Sequence, residues 1–133
     1  MEMVKQYGPP IGRVLLAVIF IVSGLGKITG FQGTVGYMQA YDMPMTQALL
    51  VLAVIIELGG GILVAIGWKA RWGAAALGLF VIVVTLIFHR FWAVPEDQVM
   101  LQQVMLMKNL SILGGLLYVM AHGPGMWAVE KAG

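Results

Sequence analysis

Six side chains able to do chemistry stand inside runs that are otherwise apolar: Arg13, Lys27, Glu57, His89, Lys108 and Asn109. A charge in hydrocarbon costs about 2.5–3.5 kcal/mol on insertion scales, so such residues face a bundle interior and find partners. His89, Lys108 and Asn109 carry N–H groups able to donate hydrogen bonds to the carbonyl oxygens of a ligand. Glu57 is a carboxyl group suited to relaying protons in a low dielectric. Lys27, His89 and Lys108 also make a cationic set that would take an anion. A third reading is purely structural, with Glu57 paired to Arg13 or to Lys108 as a lock between helices.

Spacing groups these residues. At 100° per residue, Arg13, Ala17, Gly24 and Lys27 share one helix face, and Glu57 travels with Gly60 and Gly61. Thr85 and His89 are four apart, and Lys108, Ser111 and Gly115 share a face. Small residues let membrane helices approach closely, so these faces are expected to point into the bundle. By depth, Lys27, His89, Lys108 and Asn109 fall toward one end, Glu57 near the middle and Arg13 toward the other end. Arg13 is long enough to reach partway to Glu57.

The elements that must position them follow from composition. Of 133 residues, 60% are hydrophobic and 11% charged. A soluble domain carries about 25% charged residues, so the expected solvent is the lipid bilayer. A spanning helix needs about 20 mostly apolar residues, and four segments qualify: residues 10–29, 45–68, 72–92 and 99–122. Pro9 and Pro10 are read as the start of the first. The first apolar run is long and lacks a clean small-x-small cleavage site, so it is read as a retained helix rather than a signal peptide. The turn GWKAR (67–71) makes the second and third helices antiparallel neighbours. The segment FQGTVGYMQAYDMPM (31–45) is too polar to span. Its Phe31, Val35, Met38 and Tyr41 recur at helical spacing, which predicts a short amphipathic helix at the interface or a cap over the bundle. The predicted fold is all-α: a single-domain integral-membrane four-helix up-down bundle with that extra helix between the first and second.

Several classes drop out. A net charge of +2 and the absence of any nucleic-acid-binding signature argue against nucleic acid. With no cysteine there is no thiolate for zinc or iron–sulfur ligation. His89 and His122 fall at opposite ends of their helices and cannot share a haem. Ten methionines, including Met43-Pro44-Met45, suit Cu(I) in principle, but methionine is a common filler of apolar cores, and no metal site is expected. Gly59-Gly60-Gly61 lacks the Gly-Lys-Ser/Thr of a phosphate loop and reads as a packing surface.

One ordered set of residues resembles a known family. Arg13, Gly24 and Lys27 form R-x10-G-x-x-K; Glu57 and Gly60 form E-x-x-G, with Gly67 following; a histidine lies in TLIFHRFW; and KNLSILGG begins at Lys108. Together they resemble the DoxX family of small four-helix membrane proteins. The resemblance implies a cytoplasmic (inner) membrane protein linked to redox metabolism, since the name-giving members are associated with thiosulfate:quinone oxidoreductase. It therefore implies a membrane subunit of an oxidoreductase that handles a quinone. This chain holds no electron-carrying group of its own, so a flavin, haem or metal would come from a partner subunit in a larger redox complex. Two alternatives stay open: a small anion-binding or transport module, and a structural accessory subunit or homo-oligomer. The charge balance sets Lys5, Arg13, Lys69, Arg71 and Lys131 against Lys27, Arg90 and Lys108. By the positive-inside rule, both termini are expected in the cytoplasm.

Overall fold

The computed structural model describes residues 1–89 and 91–130, with Phe91 described by its backbone alone. Arg90 and Lys131, which entered the charge balance, lie outside the described residues. Among the described residues there are five α-helices and no strand: α1 (Glu2–Thr29), α2 (Phe31–Gln39), α3 (Thr46–Ile66), α4 (Ala70–Phe88) and α5 (Val99–His122). Two 3₁₀ turns, Phe91–Ala93 and Glu96–Gln98, connect α4 to α5. The long helices α1, α3, α4 and α5 are each apolar enough to cross a membrane. The fold is the four-helix membrane bundle that the hydropathy pattern predicts.

The helices pack in chain order. α1 lies on α3, α3 on α4 and α4 on α5, while α5 returns to α1 only sparsely. The main core collects Ala17, Phe20, Val64, Ala74, Leu77, Val81 and Leu116, drawn from all four spans. Outward-facing Val22, Leu52, Ile55, Leu79 and Leu110 are exposed, as lipid-facing side chains must be when hydrocarbon is the solvent.

Glycine sets the closest approach. A Cβ on Gly60 would lie 3.2 Å from the Gly73 carbonyl, and one on Gly73 would lie 3.1 Å from the Gly60 carbonyl. The α3 and α4 backbones therefore touch at this pair, which is the close packing that GGG predicts.

The first helix starts earlier than its hydropathy suggests. α1 begins at Glu2 and carries Pro9 and Pro10 inside it rather than at its first turn. Proline in a helix interior removes an N–H and crowds the carbonyl four residues back. Here the affected carbonyls belong to Lys5 and Gln6, both exposed, where solvent can satisfy them. Arg13 is level with Gly67 at the end of α3, so this first stretch of α1 projects beyond the bundle.

α2 caps the opposite end. Its Val35 and Met38 are buried and pack with Leu50, Val54 and Phe88. It sits lower than a helix resting on the surface would, because α1 stops short. Lys27, two residues before the end of α1, meets Glu57, the twelfth residue of α3. That point is about 16 Å below the start of α3, and α2 fills the step. We call this the cap end, and the end where α1 begins and α5 finishes the tail end.

Candidate functional site

A cavity of about 580 Å³ lies toward the cap end, and Lys27, Glu57, His89, Lys108 and Asn109 all stand on its wall. Most of the remaining lining is apolar, including Phe20, Leu50, Ile56, Phe80 and Val84. Some lining residues are buried, whereas Leu52, Leu79 and Val83 are 50%, 66% and 46% exposed. The cavity therefore opens sideways toward the membrane. At its outer end Tyr37 of α2 stacks on Phe88, with ring centroids 5.3 Å apart.

Glu57 is 2% exposed and its Oε1 lies 2.7 Å from Lys27 Nζ. Among the described residues no other donor reaches that oxygen. Lys27 also donates to Ser23 Oγ at 2.8 Å and lies 6.0 Å from the centre of the Phe80 ring. Gly24 makes this pair possible. A Cβ there would lie 2.8 Å from Leu58 Cγ and 3.5 Å from Glu57 Cβ, so any larger residue would force Leu58 aside or α1 away from α3. The carboxylate and ammonium cancel each other inside low dielectric, where either alone would be costly.

Two further polar pairs tie α4 to α5. Asn109 Nδ2 donates to Thr85 Oγ1 at 2.9 Å, with both residues buried. His89 Nδ1 lies 2.9 Å from Gln102 Oε1. Because that oxygen only accepts, Nδ1 is the donor, and a neutral ring then leaves Nε2 as an acceptor. Lys108 differs from the rest. It is exposed, and its ammonium donates to the Met105 thioether at 3.5 Å, a weak acceptor.

Arg13 is not part of this site, and the proposed Arg13–Glu57 pair is not formed. Arg13 is 3% exposed at the tail end. Its Nη2 donates to the carbonyls of Met126 and Trp127 at 3.0 and 2.9 Å, and its Nε donates to that of Pro9 at 3.3 Å. The chain after α5 folds back there. Val129 and Glu130 donate their N–H groups to the Ile66 and Gly67 carbonyls, each at 3.0 Å. Glu130 Oε1 accepts from Ala70 N–H at 3.1 Å, which supplies α4 with the N-terminal cap its own sequence lacks. Lys108 is not the partner of Glu57 either, because Lys27 holds that place.

Reading the spans missed Ser23 and Gln102. Ser23 stands four residues before Lys27, a helical-neighbour spacing that could have exposed the pair. Gln102 had only its polarity near the start of α5 to mark it, since its contact with His89 depends on how the α4–α5 connection folds.

Comparison with known proteins agrees with this architecture. The DoxX family model matches residues 8–90. The inner membrane protein YqjF of Escherichia coli (strain K12) is 33% identical over 131 residues, covering 98% of this chain and 95% of its own length. The inner membrane protein YphA of the same organism is 31% identical, covering 91% of this chain and 86% of its own length. A Bacillus subtilis (strain 168) protein named "Putative oxidoreductase CatD" is 36% identical over 50% of this chain and 48% of its own length. No solved structure matches the chain. Glu57, Lys27 and His89 fall within the matched stretch, while Lys108 and Asn109 fall beyond it. With a match over more than half its residues and relatives alike along nearly their whole length, this chain belongs to the DoxX family.

Proposed function

We propose that this protein is an inner-membrane subunit associated with an oxidoreductase, and that its lateral cavity receives the ring of a lipophilic quinone. The observation that carries the reading is the cavity itself, an apolar-walled space of about 580 Å³ open toward lipid, with a few polar groups on its wall. Ordinary small-molecule sites run about 300–1,000 Å³ with that same mixture of lining. A quinone reaches such a site through the membrane and needs donors for its two carbonyl oxygens. Lys27 and Lys108 are the donors, and His89 Nε2, an acceptor in this tautomer, suits the hydroxyl of the reduced form. In this reading Glu57, paired with Lys27, is the group that exchanges a proton with the ring. The name of the CatD relative adds support for a redox association.

In this reading electrons come from a cofactor-bearing partner subunit, and both termini face the cytoplasm. Trp68, Trp72 and Trp127 are exposed at the tail end together with Lys69 and Arg71, which fits an interfacial belt on the positive side. The soluble-anion alternative is weaker, because Glu57 already neutralises Lys27 and the surrounding wall is apolar.

Native mass spectrometry of the protein extracted with its own lipids tests the proposal. The expected result is a retained quinone together with a cofactor-bearing partner. Ala53→Phe, which adds bulk to the cavity wall, should lose the quinone while keeping the fold. A chain carrying only phospholipid, with no partner, would overturn the reading.

A further inference from the structure

The cavity carries two lysines in opposite electrostatic states. Lys27 is neutralised by Glu57 at 2.7 Å and further bonded to Ser23 at 2.8 Å. Lys108 stands nine residues into α5, about 13 Å from its start, and among the described residues its ammonium donates to the Met105 sulfur at 3.5 Å. A thioether does not balance a positive charge, and a charge at that depth is costly without a counter-ion. Most of the cavity wall it shares, including Ile19, Phe20 and Ile112, is apolar. The exposed Leu52, Leu79 and Val83 leave the space open to lipid.

We propose that the cavity also binds a single-chain amphiphile with an oxyanion head, its alkyl chain along the apolar wall and its carboxylate on Lys108. A cavity of about 580 Å³ is the size of a one-ligand site, which favours one chain over a two-chain phospholipid. A soluble anion lacks the apolar part that the wall would desolvate, and a neutral amphiphile lacks the charge that Lys108 calls for. The proposal shares its cavity with the quinone reading but stands without any quinone.

The test titrates the purified protein in neutral detergent with oleate, oleyl alcohol, phosphatidylglycerol and inorganic phosphate, reading bound mass by native mass spectrometry. Oleate should bind about tenfold more tightly than oleyl alcohol, the gain of one ion pair of modest strength. Inorganic phosphate should not bind, and phosphatidylglycerol should bind more weakly than oleate. Lys108→Met should erase the preference for oleate over the alcohol, and Lys108→Arg should keep it. Equal binding of oleate and the alcohol by the unaltered protein would overturn the proposal. So would a preference that survives Lys108→Met, or phosphatidylglycerol outcompeting oleate. Quinone extracted from the same preparations is assayed separately, so its absence would sink the quinone reading and leave this one standing.

Discussion

The two ends of the bundle each hold a cation within the fold, buried Arg13 at one and partly buried Lys27 at the other, and solve the problem differently. At the tail end Arg13 donates to backbone carbonyls of its own helix and of the returning tail. Gly67, at φ +75°, leaves the space in which the guanidinium sits. A side chain there would collide with Arg13 Nη1 and Ala128. At the cap end Lys27 meets a carboxylate instead, beside a cavity. One end is closed by packed chain and the other is left hollow around paired charges. Buried charge can thus act as a clasp where the fold needs closing, or as compensated chemistry where space is kept for a ligand. The contrast turns on whether the counter-group is backbone or side chain.

The largest expected effect breaks the cap-end solution. Glu57→Leu leaves Lys27 without its counter-ion, and loss of one partner of a buried pair costs about 3–5 kcal/mol. Lys27 is 25% exposed, so the lower end, about 3 kcal/mol, is expected in thermal unfolding in detergent. Adding Lys27→Met should recover most of it. If the double variant melts no higher than Glu57→Leu, the pair is not the element that matters.

Breaking the tail end comes next. Arg13→Met removes charged donors from two tail carbonyls, each such bond being worth about 1.5 kcal/mol or more. Limited proteolysis should then cut within residues 123–130 while the cap end keeps any ligand it holds. A tail that remains protected would show that Val129 and Glu130 suffice to hold it.

A pair of neighbouring glycines sharpens the idea that the two ends differ in packing. Gly60→Ala puts a methyl 2.8 Å from Leu77 Cγ and 3.2 Å from the Gly73 carbonyl, and overpacking of this kind costs about 1–3 kcal/mol. Gly59→Ala meets nothing within 4 Å and should stabilise α3 slightly, by about 0.5 kcal/mol or somewhat more. Equal melting shifts for the two would mean the α3–α4 contact is loose.

The smallest effect concerns the α4–α5 tie. Hydrogen bonds between membrane helices average about 0.6 kcal/mol, so Thr85→Val should lower the melting temperature only slightly despite orphaning Asn109 Nδ2. At the outer rim, burial and the Tyr41 hydroxyl push the Tyr37 phenol up to about 12. Its raised value favours the protonated folded state. That contribution is complete below the ordinary phenol value of about 10 and fades as pH rises toward 12, which alkaline absorbance titration of wild type against Tyr37→Phe would follow.

Much of this was readable from residue types. The four spans are long apolar runs, and any such run must satisfy its backbone as helix in lipid. Gly67 and GGG announced a turn and a packing surface because glycine is the residue that permits both. The five candidate residues were legible as a set because a polar group in an apolar run stands out against its surroundings, and the fold brings all five to one cavity wall. The pairing among them was not legible. Helical spacing fixes angle and rise within one helix but not the offset of one helix against the next. α1 starts at Glu2 and stops below the outer end of α3, and this offset puts Lys27 opposite Glu57 and Arg13 opposite Gly67.

Sequence alone determined that this chain lives in a bilayer as a helical bundle, because composition and run length leave no other way to solvate it. It also determined which polar groups must be accounted for. Tertiary structure alone decided which charge neutralises which, that the tail folds back to cap α4 through Glu130, and that Lys108 lies on the cavity wall with the Met105 sulfur as its hydrogen-bond acceptor among the described residues. Those outcomes depend on distances between segments far apart in the chain, which local pattern does not encode.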